Sequence, residues 1–184
     1  RTIILIKENK VVLDELNNIM INHNNVVEEY NYILKNHSYR NLSKGDSIYG
    51  MYFPDKELTK YFTYNGKLTK NEKTKDFAYY FDENNKLILT ERFSNGTLLN
   101  AILFYYYENK VEIVWYCMKR KKINAVGEII YLDNRINKFI ESGDVLKHIN
   151  SFIEYTFEED YIKIKSYLNY SNGKELIKNS TMKR

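Results

Sequence analysis

The sequence predicts an α+β protein, with N-terminal helices packed on a curved antiparallel β-meander of about 8–10 strands. Three observations carry that expectation. An amphipathic stripe occupies residues 10–40. Short runs rich in Tyr, Phe, Ile and Val alternate with polar residues from 47 to 170. Turn signals built on Asn, Asp and Gly punctuate those runs. A chain of 184 residues suits one domain spanning 1–184, and at this size a hydrophobic core needs no covalent staple.

The helical part comes first. Val12, Leu16, Ile19, Val26, Tyr30 and Ile33 recur at steps of three, four and seven, the stripe of an amphipathic helix. Asp14 and Glu15 are placed early, where acids suit the helix dipole. The cluster Asn22-His23-Asn24-Asn25 is poor helix material and predicts a split into two helices. Leu42-Ser43-Lys44-Gly45-Asp46 reads as the loop that closes this part, with the single Pro following at Pro54.

The strand-rich part is read from its turns. They are Asn65-Gly66, Glu83-Asn84-Asn85, Asn95-Gly96, Glu108-Asn109, Asp133-Asn134 and Glu158-Glu159-Asp160. Asn-Gly suits a type I′ hairpin, whose two central residues both need positive φ. Tyr161-Ile162-Lys163-Ile164-Lys165 shows the period of two that a half-buried strand requires. One interruption is expected. Val145, Leu146, Ile149, Phe152 and Ile153 follow Ser142-Gly143-Asp144 at a helical period, and the same segment also suits a loop entering a strand around 154–157.

Composition narrows the function classes. Lys and Arg number 28 against 24 Asp and Glu, and the two signs interleave, so the concentrated basic stripe of a nucleic-acid binder is missing. The densest basic run, Lys119-Arg120-Lys121-Lys122, is expected in a solvated turn. No run reaches the roughly 18 apolar residues of a membrane helix. Cys117 is the single cysteine; with no second thiol for a disulfide, redox or metal pair it is expected as a small buried hydrophobe. A reducing, cytoplasmic location is the default reading, with no membrane partner. The 18 Tyr and 23 Asn stand out, and codon bias in an A+T-rich genome supplies part of both.

Catalytic motifs are absent from the sequence. Seven scattered Gly form neither GxGxxG nor GxxxxGK[ST], and no HExxH or GxSxG occurs. The expectation is therefore no enzyme, no cofactor and no metal. His23 and His37 fall near the apolar stripe and are expected as structural histidines, and His148 lies apart from both. The acid pairs Glu28-Glu29, Asp82-Glu83 and Glu158-Glu159-Asp160 fall on a helix face or in turns and are expected to be solvated. A metal-independent ribonuclease built from His37, Tyr39 and Arg40 is the one catalytic arrangement that can be drawn.

Several hairpins share one pattern: aromatic, aromatic, acid or Asn, turn, base, apolar. Tyr79-Tyr80-Phe81-Asp82-Glu83-Asn84-Asn85-Lys86-Leu87 is the fullest copy. Phe62 to Leu68, Tyr105 to Val111 and Ile129 to Ile136 are shorter versions. This pattern resembles the tyrosine–aspartate repeat of Rhs-type bacterial shell proteins, with Phe81 in place of the second Tyr, Asn85 in place of Gly and Lys86 in place of Arg. A small Tyr/Asn/Lys-rich β-meander without catalytic motifs also resembles, in style, the immunity proteins of bacterial polymorphic toxin systems. That resemblance implies a cytoplasmic protein that covers the active site of a cognate toxin, and it carries over no individual residue.

The leading expectation is thus a non-enzymatic protein-binding protein, with a cognate toxin as partner. Exposed Tyr is enriched at interfaces because a ring and a hydroxyl come at low entropy cost. Tyr79, Tyr105, Tyr107 and Tyr131 are the candidate partner-binding residues. Three consecutive Tyr at 105–107 cannot share one face of a strand. A small-ligand-binding barrel or half-barrel is the alternative, and a nucleic-acid-binding module or nuclease the further one.

Overall fold

The computed structural model describes residues 10–48, 65–143, 148–169 and 175–183. Two helices, α1 (Lys10–Asn22) and α2 (Val26–Asn36), precede eleven strands. These are β1 (Tyr39–Lys44), β2 (Lys67–Thr69), β3 (Phe77–Phe81), β4 (Leu87–Ser94), β5 (Thr97–Tyr106), β6 (Lys110–Cys117), β7 (Lys122–Leu132), β8 (Arg135–Gly143), β9 (His148–Phe157), β10 (Tyr161–Asn169) and β11 (Glu175–Lys183). The strand order is β11-β10-β9-β8-β7-β6-β5-β4-β3-β1-β2. The fold is α+β with N-terminal helices and a mainly antiparallel meander, as the sequence predicts. Among the described residues the strand order begins at β11 and ends at β2, with no pairing between those two.

The helix break falls where the Asn-rich cluster places it, at residues 23–25. Leu16, Ile19 and Val26 of the stripe are buried. Asp14 and Glu15 lie a turn inside α1; the first-turn acids belong instead to α2, as Glu28 and Glu29, with Lys35 in its last turn.

The strand count exceeds the sequence reading because two strands fall outside the expected range 47–170. β1 occupies Leu42-Ser43-Lys44, read as loop from sequence; the turn starts only at Gly45, whose φ of +85° needs glycine. β11 carries no clean alternation because residues on both of its faces are solvent-exposed. Residues 148–157 extend as β9, so Phe152 and Ile153 belong to a strand and not to a helix. Pairing with β8 and β10 on both sides outweighs the local helical period there. Residues 144–147 lie outside the described residues, as does Pro54.

By its contacts the chain divides into two compact units. One comprises residues 1–24, 106–114 and 123–184. Its helix α1 packs on β8, and its core holds Ile113, Ile129, Phe139, Tyr155 and Ile162. The other comprises residues 25–105 and 115–122. Its helix α2 packs on β4, and its core is built on β3, where all five residues of Phe-Ala-Tyr-Tyr-Phe are buried.

The turn chemistry follows the sequence closely. Asn95 and Gly96 have φ of +49° and +76°, and Asp133 and Asn134 have +51° and +61°, the two-residue positive-φ pattern of type I′ hairpins. Lys119–Lys122 lies in and beside the exposed β6–β7 turn, with Lys121 at φ +50°. Gly66 is needed for a different reason: a Cβ there would stand 1.9 Å from the carbonyl oxygen of Asp46. The rest of that expected turn, Phe62 to Tyr64, lies outside the described residues.

Candidate functional site: buried carboxylates and a row of hairpin tips

Glu91, Glu112 and Glu128 lie in strand stretches buried on both faces, and each is about 5% exposed or less. A carboxylate at that depth needs donors. In the α2 unit, Glu91 receives the hydroxyls of Tyr30 on α2, at 2.5 Å, and Tyr80 on β3, at 2.7 Å. Burial, reinforced by the Glu91 charge, raises both phenols well above the ordinary tyrosine range. Both therefore stay protonated and serve as donors. Tyr105 donates to Glu29, so α2 is held to the sheet at two points. His37 donates through Nδ1 to the Ile33 carbonyl at 3.1 Å and meets the Tyr80 ring edge-on, with 4.9 Å between centres.

In the α1 unit, Glu112 receives His23 Nε2 at 2.8 Å, Lys110 Nζ at 2.7 Å and the Tyr107 hydroxyl at 3.2 Å. Burial pushes this carboxyl up, but the hydrogen bonds from Lys110 and His23 outweigh it and hold the carboxyl below its usual range. Glu128 is displaced the other way, raised chiefly by burial and further by Glu15 and Glu112, against the pull of Lys110. Two nearby acids driven apart in this manner are a known signature of acid–base chemistry. Here His23 and Glu112 are 7% and 5% exposed at their side chains, and the pair joins the end of α1 to β6.

The ribonuclease arrangement is not assembled. Tyr39 stacks flat on Phe81, with 4.7 Å between ring centres, while Arg40 pairs with Glu72. Adjacent strand residues face opposite sides of the sheet, which separates Tyr39 from Arg40. Among the described residues, no group of three or more His, Cys, Asp or Glu is arranged to hold a metal ion, and no helix is long and apolar enough to cross a membrane. Cys117 is half-buried at the end of β6, less enclosed than its apolar neighbours suggested.

The four candidate tyrosines separate. Tyr79 needs correction: it is 0% exposed, and its hydroxyl bonds Ser43 Oγ, Ser47 Oγ and the Ile48 backbone N–H at 3.0–3.1 Å. It offers nothing to a partner, because β3 is buried on both faces. Tyr105 is half-buried on Glu29. Tyr131 is half-buried, and its backbone N–H donates to the Asn109 carbonyl at 2.8 Å. Tyr107 is 49% exposed.

Tyr107 stands in a row that sequence reading located only in part. In the α1 unit, three consecutive turns end the hairpins β5–β6, β7–β8 and β9–β10. The Tyr131–Asn109 bond ties the first tip to the second. Lys110 lies over the Tyr107 ring at 5.3 Å, Arg135 over Phe157 at 5.3 Å and Lys163 over Tyr161 at 5.5 Å. Each ring is thus braced by a cation. Leu132, 62% exposed, adds an apolar contact at the middle tip. Phe157, Tyr161 and Leu132 flank turns that the sequence marks, so their spacing was the available signal. The chain matches no protein-family model, no curated protein and no solved structure.

Proposed function

We propose that this chain is a non-enzymatic protein-binding protein that neutralises a cognate bacterial toxin, in the manner of an immunity protein, acting in the cytoplasm. The observation that carries the reading is the tip row of the α1 unit. Tyr107 and Leu132 are exposed on adjacent, hydrogen-bonded turns beside cation-braced rings. Rings held rigid before binding lose little entropy on association, which is the property of an interface anchor. The tips also carry Glu108, Asp133, Glu159 and Asp160, all exposed. Carboxylates beside the rings repel phosphate, which favours a protein partner over a nucleic acid. The buried acids are occupied in joining helices to strands, which favours binding over catalysis.

The test is co-expression with the product of each gene that flanks this chain's own. The expected result is co-purification and protection of the cells, both lost in the Tyr107→Ala, Leu132→Ser double variant with its fold intact by circular dichroism. Wild-type protein that neither binds nor protects refutes the reading. Retention of both functions in the double variant refutes the tip row as the contact.

A further inference from the structure

The two edges of the sheet are built differently. β2 is three residues long, and a very short edge strand is one way proteins protect an edge from pairing. β11 is nine residues long, without Pro and without a register shift: it pairs with β10 continuously from Tyr161↔Lys183 to Asn169↔Glu175. Among the described residues no strand covers its outer side. Its row of outward backbone donors and acceptors is therefore a template for a further strand. Leu176 and Ile177, on opposite faces of the strand, are each 40% exposed.

The sequence of β11 is complementary to itself. If two copies pair antiparallel about a two-fold axis at Asn179, position 175 stands opposite 183, 176 opposite 182, 177 opposite 181 and 178 opposite 180. An acid then faces a base at each end of the ladder, through Glu175 and Lys183. Leu176 faces Met182, and Ile177 faces Thr181, apolar and β-branched pairs that stabilise antiparallel strands. Lys178 faces Ser180, so no lysine stands directly opposite another. The period of two keeps each face continuous, because every pair joins positions of the same parity. A slip of one residue that places Glu175 against Met182 places Asn179 against Lys178, and forfeits the charge match.

We infer that β11 is a homodimerisation edge, at which a second copy of this chain adds antiparallel in the register centred on Asn179. A single strand pair buries little surface, so the dimer is a weak, reversible one, with dissociation on the order of tens of micromolar. The inference does not depend on the tip row or on any toxin.

Sedimentation equilibrium of the full chain tests it. The expected result is a monomer–dimer equilibrium. Glu175→Lys and Lys183→Glu each place like charges opposite one another twice per dimer, and each raises the dissociation constant about tenfold. The double swap, Glu175→Lys with Lys183→Glu, restores wild-type association. Hydrogen exchange of the unmodified protein supplies an independent reading: amides of 175–183 gain protection at high concentration, while those of β2 do not. A wild-type monomer up to about 500 µM overturns the inference, since a contact that weak is no specific interface. So do single variants that dimerise normally, a double swap that fails to rescue, or β11 protection that appears only when a different protein is added.

Discussion

Replacing Glu141 with Gln is expected to stabilise the protein at alkaline pH and to leave it unchanged in acid. Glu141 stands on β8 between Gly127 of β7 and Ser151 of β9. The hydrogen bond it receives from Ser151 Oγ is long, at 3.4 Å. Burial pushes its carboxyl up to about 7, and Ser151 pulls it back only in part. The folded protein therefore holds this proton more tightly than the unfolded chain does. The sign follows: the contribution to stability is fully present below pH 4.5, falls as pH rises toward 7, and is flat above. A rise from 4.5 to about 7 corresponds to roughly 3 kcal/mol. Gln keeps the shape of the neutral acid and has no proton to lose. For a chain of this length, each kcal/mol moves Tm by about 2–4 °C, so the variant should melt roughly 6–12 °C higher at pH 8 and within a degree or so at pH 4. Circular dichroism melts between pH 4 and 9 measure the gap. A gap that stays constant with pH, or a variant that melts lower at pH 8, refutes the assignment.

Two other substitutions probe the interior. Tyr30→Phe and Tyr80→Phe each remove one donor from buried Glu91 and should cost about 1–3 kcal/mol in urea unfolding. The double variant should depart from additivity, because both hydroxyls serve one carboxylate; additive losses would mean that they act separately. Gly66→Ala drives a methyl group into the Asp46 carbonyl and should cost about 1–3 kcal/mol. Gly45→Ala meets no atom within 4 Å and should cost less, about 1–2 kcal/mol, from positive φ alone; the reverse order would refute the steric account.

Local chemistry was legible where it acts over a few residues. The helix stripe, its break at 23–25 and the two type I′ turns all depend on neighbours in sequence. β1 was not legible, because Tyr-Arg-Asn-Leu-Ser-Lys becomes a strand through pairing with β3, some 40 residues away. The same distance hid the carboxylate contacts. His23 and Glu112 are 89 residues apart, and Tyr30 and Glu91 are 61 apart. Tyr79 shows the limit for sites. It lies in the fullest copy of the repeat, yet that copy sits on a strand covered on both faces, while Tyr107 lies at a turn. Composition marked both as tyrosines, and register decided which of them meets solvent.

The repeat itself gains a physical meaning from those facings. The turns at one end of the meander begin at Asp82, Glu108, Asp133 and Glu158, spaced 25 to 26 residues apart. The first buried residue of the return strand is Leu87, Val111, Ile136 or Ile162. All four are buried, at 6%, 2%, 1% and 0% exposure. The preceding residue is a base in the first three copies and Tyr161 in the fourth. Each copy thus sets a polar turn against a first buried apolar contact, which fixes which face of the return strand turns inward. Once that contact is fixed, the positions beyond it are free to differ. β4 and β6 use the freedom to bury Glu91 and Glu112 for the helices, and β8 uses it to half-bury Glu141 with a single weak donor. On this reasoning the repeat specifies hairpins, and the departures from it specify where the helices are held and where the interior carries a proton that alkali can remove.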